Sequence, residues 1–207
     1  MKKFWLVLVG AFMAFNASAS GFSEGKQYTE LKNSVADQPQ VLEFFSFYCP
    51  HCYQFENVYH VPSTVEKNLP AGVTHERYHV DFLGPLGNAL TDAWAVAIVM
   101  KIEDKVTPIL FDGIQKSQTI NSKEDIRNAF IKAGVSGDEY DAALNSFIVQ
   151  SVAAKERQAA QNLELRGVPA IFVNGKYLIN NGGIESRSAL DYGQKFSDVV
   201  NYLVTKK

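Results

Sequence analysis

Cys49 and Cys52, three positions apart, are the only two cysteines in the 207 residues. A disulfide across two intervening residues closes too small a loop to restrict the unfolded chain much, because the entropic gain grows with loop length. Reactivity, not stapling, explains such a pair. Its flanks constrain the fold. Val41-Leu42-Glu43-Phe44-Phe45-Ser46-Phe47, just before it, is a nearly continuous apolar run. That is the pattern of a strand covered on both faces in an α/β sheet. Tyr53 to Leu69, just after it, has helical spacing at Phe55, Val58 and Tyr59. Pro50 suits the first turn of that helix, and Pro62 should kink or break it.

The N-terminus reads as an export signal. Lys2 and Lys3 precede an apolar run from Phe4 to Phe15, and Ala17-Ser18-Ala19 supplies small residues for cleavage. The run is too short for a spanning helix, which needs roughly 20 apolar residues. Residues 1–19 are therefore predicted to be a signal peptide and Ser20 the first residue of the mature chain. Export places the cysteine pair in an oxidising compartment. A net charge of −2 offers no basic surface for nucleic acid or anionic lipid. A structural zinc site needs four ligands. One cysteine pair, with His60, His75 and His79 at no recognisable ligand spacing, does not supply them.

Leu69-Pro70-Ala71-Gly72 is a stop, and Val73 to Phe82 alternates as a second strand. Gly84-Pro85-Leu86-Gly87 breaks the chain, and Leu90 to about Gln161 is helical in character. Ala93 to Met100 is almost wholly apolar, as in a buried helix. Ser122 with Asp125 and Ser136 with Glu139 resemble capping boxes, and Gly134 a C-terminal cap. Ala153 to Leu165 should end at Gly167. Ala170 to Val173 and Lys176 to Ile179 flank Asn174-Gly175, a hairpin turn, and Ser188 to Lys206 closes the chain as an amphipathic helix. The expected order is strand–helix–strand, a helical block, a hairpin and a helix. This is an α/β fold with helices inserted after its second main strand.

At a helix N-terminus, Cys49 meets unpaired N–H groups and the positive end of the macrodipole, which favour a thiolate. Cys49 would be the sulfur attacked by a substrate thiol and Cys52 the leaving thiol. His51 adds a cation or N–H donor, and Pro50 fixes the turn. Stabilising the thiolate stabilises the reduced pair and makes the disulfide more oxidising. A cis Val168–Pro169 bond would aim the Val168 backbone at this centre, where it could pair with an extended peptide. Phe55 and Tyr59 either line an apolar substrate groove or belong to the core. Phe55 is assigned to the groove.

The mature chain resembles the DsbA family of periplasmic dithiol oxidases. The resemblance rests on Gly25 to Tyr28, Pro39 to Phe47, Cys49-Pro50-His51-Cys52 with Tyr53 to Glu56, Arg166-Gly167-Val168-Pro169-Ala170, and Phe172 to Tyr177. It implies a thioredoxin fold with an inserted all-helical domain. Residues 20–82 and 162–207 would form the thioredoxin-like part and 83–161 the insertion. It implies Cys49 as nucleophile, Cys52 as its partner, His51 as thiolate stabiliser and Pro169 as the cis proline. Substrates would be folding secreted proteins with cysteine thiols. Reoxidation would come from a membrane quinone reductase of the DsbB type, with no bound cofactor. The resemblance also gives Glu43 a part in moving a proton at Cys52, with Arg77 as its basic partner. Arginine cannot give up its proton, so a structural ion pair stands beside that reading. Glu56 either tunes Cys52 or is a solvated helix residue. An isomerase would need a dimerisation segment, and none is seen before Gly25, so a monomer is expected. A peptide-binding chaperone would retain its activity without Cys49.

Overall fold

The computed structural model describes residues 21–206; the signal-peptide assignment falls outside them. β1 (Tyr28–Glu30), β2 (Val41–Phe45), β3 (His75–His79), β4 (Ala170–Val173) and β5 (Tyr177–Ile179) form one sheet in the order β1-β5-β4-β2-β3. β2 and β3 are parallel, and the other neighbours are antiparallel. α1 (Pro50–Asn57) and α2 (Val61–Asn68) make the crossover between the parallel strands.

The apolar run at Val41 does become the central strand, buried along its whole length. Leu42 and Phe44 pack with Tyr78, Phe172, Ala159 and Leu163 on one face. On the other, Val41 meets Val61, Val65, Phe196 and Val200. Phe196 and Val200 come from α8 (Ala189–Thr205), capped by the Ser188 hydroxyl. Phe45, at the strand's end, enters a third cluster with Trp94 and Phe111.

That third cluster is built by the helices between β3 and β4. These are α3 (Gly87–Met100), α4 (Glu103–Phe111), a π-helical turn (Asp112–Lys116), α5 (Lys123–Lys132), α6 (Gly137–Leu144) and α7 (Phe147–Asn162). Ala93 to Ala97 in α3 are all buried, as their apolar run requires. Ser136 and Glu139 form a reciprocal capping box. At Ser122 the hydroxyl accepts the Asp125 N–H, but the Asp125 carboxylate returns to the Asn121 N–H instead. Gly134, with φ +98°, follows the end of α5. Asn174 and Gly175 both have positive φ, 53° and 58°, as a type I′ hairpin turn demands.

Several boundaries differ from expectation. The helix predicted from Tyr53 to Leu69 is two helices, and the first already begins at Pro50. A proline ring clashes with the carbonyl four residues back, so α1 ends before Val58, and Pro62 takes the first turn of α2. Between them His60 adopts φ 51°. β3 stops at His79, and Phe82 lies beyond it, 55% exposed. α7 starts at Phe147, where the Ser146 hydroxyl accepts the Val149 N–H, well before Ala153. It ends at Asn162, followed by Glu164 at φ 48°, not at Gly167. β1 was not predicted; three residues leave no period to read. No helix among the described residues is long and apolar enough to cross a membrane.

Candidate active site

Chain leaving β2 turns once before α1: the Cys49 N–H donates to Ser46 O at 3.0 Å. Cys49 is the N-cap of α1, and its Sγ accepts the Cys52 N–H at 3.2 Å. Both cysteines are free thiols and both are buried. Across from them the Val168–Pro169 bond is cis. The Val168 carbonyl, just before β4, accepts from Cys49 Sγ at 3.3 Å. The two chemical elements read from the sequence, Cys49-Pro50-His51-Cys52 and Val168-Pro169, therefore meet.

The two thiols are made unlike each other. The Cys52 thiol donates toward Cys49 and lowers its pKa. Partial burial opposes this, and the N–H groups of Cys52 and His51 and the His51 ring add to it, leaving Cys49 at about 7 against an ordinary 9.0. Burial pushes Cys52 up, and its hydrogen bond to Cys49, the Cys49 charge and the Glu43 carboxylate push the same way. The His51 ring is exposed, with Nδ1 3.5 Å from Gln54 Oε1. Its backbone N–H outranks its ring in stabilising the Cys49 thiolate.

Glu43 sits in the middle of β2, opposite Arg77 in the parallel register. The Arg77 guanidinium donates through Nε to Glu43 Oε2 at 3.0 Å and through Nη2 to Glu56 Oε2 at 2.6 Å. It lies over the Phe45 ring at 4.7 Å. His75 Nε2 is 3.4 Å from Glu43 Oε2, and among the described residues it finds no hydrogen-bond partner. Burial raises the Glu43 pKa, but Arg77 and His75 together outweigh it and hold the carboxyl below its ordinary range. Glu43 is thus held as an anion. Glu56 is not a solvated helix residue, because its carboxylate is half-buried on Arg77.

One assignment is corrected. Phe55 does not line a substrate groove: it is 4% exposed, packed edge-on against Phe196 at 5.4 Å and Tyr192 at 6.0 Å. Helical spacing cannot tell an apolar side chain facing α8 from one facing a ligand. His75 went unassigned too, although it shares a β3 face with Arg77.

Residues 40–188 match the model of the DSBA-like thioredoxin domain. The chain belongs to this family. It is 59% identical to the thiol:disulfide interchange protein DsbA of Pectobacterium carotovorum and 58% to that of Yersinia pestis, over the full length of each chain. The crystal structure of the disulfide oxidoreductase DsbA from Proteus mirabilis superposes with a TM-score of 0.87 at 56% identity. It covers 89% of this chain and 98% of that one. A second Proteus mirabilis DsbA structure, a cysteine-to-serine form, holds a non-covalently bound peptide. The chain is a thiol:disulfide oxidoreductase of the DsbA family, and its architecture is a thioredoxin fold with an all-helical insertion.

Proposed function

We propose that this chain is a periplasmic protein dithiol oxidase that hands the disulfide Cys49–Cys52 to folding secreted proteins. The carrying observation is the place of Cys49: it caps α1, its Sγ accepts the Cys52 N–H at 3.2 Å and faces the Val168 carbonyl at 3.3 Å, a setting that lowers Cys49 and raises Cys52. In the first step a substrate thiolate attacks Cys49 Sγ. The Cys49–Cys52 bond breaks, and Cys52 leaves with the electron pair and takes up a proton. In the second, another substrate thiolate attacks the substrate sulfur of the mixed disulfide, and Cys49 leaves as a thiolate. Two electrons pass to the enzyme, and the substrate gains its disulfide. A low-pKa Cys49 is the better leaving group in the second step.

The anionic Glu43 opposes ionisation of Cys52, which favours reprotonation of that sulfur after it leaves. Arg77 holds Glu43 in place and is itself held by Glu56 from its other side; the guanidinium keeps its proton. The Val168 carbonyl, with Pro169 fixing its direction, would accept an N–H from an extended substrate in place of the Cys49 thiol. The peptide bound to the Proteus mirabilis relative supports a substrate of that kind. Regeneration needs a two-electron acceptor, which on this reading is a DsbB-type membrane quinone reductase; no bound cofactor is required. The chain acts as a monomer. Residues 83–161 form the insertion, and 20–82 with 162–207 form the thioredoxin-like part.

Reduced single-cysteine variants mixed with a peptide disulfide test the assignment. Cys52→Ser should accumulate a mixed disulfide through Cys49, while Cys49→Ser should form little. The reverse pattern overturns the reading.

A further inference from the structure

Phe47, two residues ahead of Cys49, lies outside any strand or helix, yet both of its backbone groups are taken by side chains. Its N–H donates to His79 Nε2 at 3.2 Å. Its carbonyl accepts from Gln115 Nε2 at 2.7 Å. The partners come from different parts of the molecule. His79 ends β3 in the sheet, and Gln115 lies in the π-helical turn of the insertion.

Each partner is itself fixed. His79 is buried, and its ring stacks on Phe47 with centroids 5.3 Å apart. Since Nε2 accepts, the proton is on Nδ1, which lies 2.9 Å from the buried Thr91 hydroxyl. Burial holds this imidazole neutral, its pKa lowered to about 3, so the acceptor nitrogen stays free of a proton. The π-helical turn that presents Gln115 is closed by the Ser117 N–H on Asp112 O at 2.9 Å. The Phe47 ring is wholly buried against Phe111, at 4.8 Å, and Trp94.

We infer that Gln115 and His79 are positioning residues for Cys49. They clamp the Phe47 peptide from both sides, so that the turn Ser46–Cys49 delivers Sγ onto the N-terminus of α1. This rests on Cys49 being the attacked sulfur. A single-turn link between strand and helix has little of its own to hold it: the Cys49 N–H on Ser46 O, and the Tyr48 N–H on Ser46 Oγ at 3.2 Å. The 3.2 Å bond from the Cys52 N–H to Cys49 Sγ depends on where that turn ends. If the Phe47 carbonyl loses its donor, a buried acceptor is left unpaired. The turn then moves to find one, and Sγ moves with it. The Gln115 amide thus carries the helical insertion's hydrogen bond to the turn.

The test is the thiolate absorbance of reduced protein followed against pH, in wild type, Gln115→Met and Phe130→Leu. Methionine keeps the length and volume of Gln115 but has no donor. Phe130→Leu removes buried area from α5, where the ring packs on Tyr140, and leaves both hydrogen bonds to Phe47 in place. Gln115→Met should raise the Cys49 pKa by roughly 0.5–1 unit, what a single hydrogen bond's ordering can move. It should make the Cys49–Cys52 couple correspondingly less oxidising against glutathione. Phe130→Leu should leave the Cys49 pKa unmoved. An unshifted Cys49 in Gln115→Met, or an equal shift in Phe130→Leu, overturns the inference. Should Gln115→Met fail to fold, exchange in wild type decides: rapid exchange of the Phe47 amide overturns the His79 half of the clamp, and rapid exchange of the Gln115 side-chain amide the Gln115 half. A wild-type Cys49 that titrates near 9.0 would instead strike the reading of Cys49 itself.

Discussion

The Cys49 thiolate is favoured by several groups, and only the weakest-ranked of them is the ring of His51. The Cys52 thiol leads, against burial, and the N–H groups of Cys52 and His51 come before the His51 ring. No substitution at position 51, proline apart, removes a backbone N–H. His51→Ala should therefore raise the Cys49 pKa only part of the way from about 7 toward 9.0, as thiolate absorbance against pH would read. Complete recovery of the ordinary value would mean that the ring alone sets the pKa. The same shift makes the reduced protein's stability depend on pH. The folded pKa lies below the unfolded one, so this contribution is fully present above about 9.0 and is lost as pH falls through about 7. Denaturant melts of the reduced protein, less those of the disulfide form, should lose their margin across that window. A margin independent of pH would contradict the assignment.

At the scale of elements, α8 shows where local rules and packing part company. Gly193 lies inside this helix, where alanine is ordinarily better by about 1 kcal/mol. Here a methyl group would run into the Tyr59 carbonyl oxygen, in the short link between α1 and α2. That carbonyl lies in a link whose Val58 and Tyr59 N–H groups both donate to Gln54 O at 2.9 Å, so it cannot simply swing aside. Gly193→Ala should therefore destabilise the protein by about 1–3 kcal/mol, in the range of overpacked sites. A rise in urea midpoint would show that the link yields. The larger elements were legible because each carries a local signal. The apolar run of β2, the Asn174-Gly175 turn, the Ser136 box and the apolar stretch of α3 all formed as read. β1 was not legible, because its residues are fixed by pairing with β5 and not by their own pattern. In the site, Cys49 and Cys52 stood out through residue type and spacing, and Val168 and Pro169 only beside that pair and through the family resemblance. Phe55 stood out in the wrong role, and His79 and Gln115 carried none, since the partners of all three are far away in sequence. Which way a helix face turns, or which carbonyl an amide reaches, is decided by the assembled fold.

In the whole molecule α7 is the element that joins the insertion to the sheet. Val149 and Ala153 pack in the helical cluster, and Ala159, with Leu163 just past the helix's end, packs against Leu42 and Phe44. Between them Glu156 is fully buried. Its Oε2 accepts the His79 N–H at 3.2 Å, and its Oε1 has no hydrogen-bond partner among the described residues. Burial raises its pKa well above 4.5. The His79 N–H and Arg157 oppose this, and Asp81 and Asp92 add to it. The folded protein thus keeps a proton on Glu156 where the unfolded chain has lost it. This contribution is fully present below about 4.5 and is lost as pH rises toward the folded value. His79 acts in the opposite sense: burial lowers it from 6.5 to about 3, so stability falls as pH drops through that interval. Glu156→Gln removes the first effect and leaves the second. It keeps an acceptor for the His79 N–H and has nothing to ionise. The variant should lie close to wild type in acid and gain on it as pH rises, by up to about 1.4 kcal/mol per pH unit until the wild-type carboxyl ionises in the folded state. The acid limb set by His79 should be the same in both proteins. Urea melts of the two at several pH values read this directly. A stability difference that stays constant with pH would mean that Glu156 is ionised in the folded protein, and that the join between insertion and sheet accommodates a buried charge.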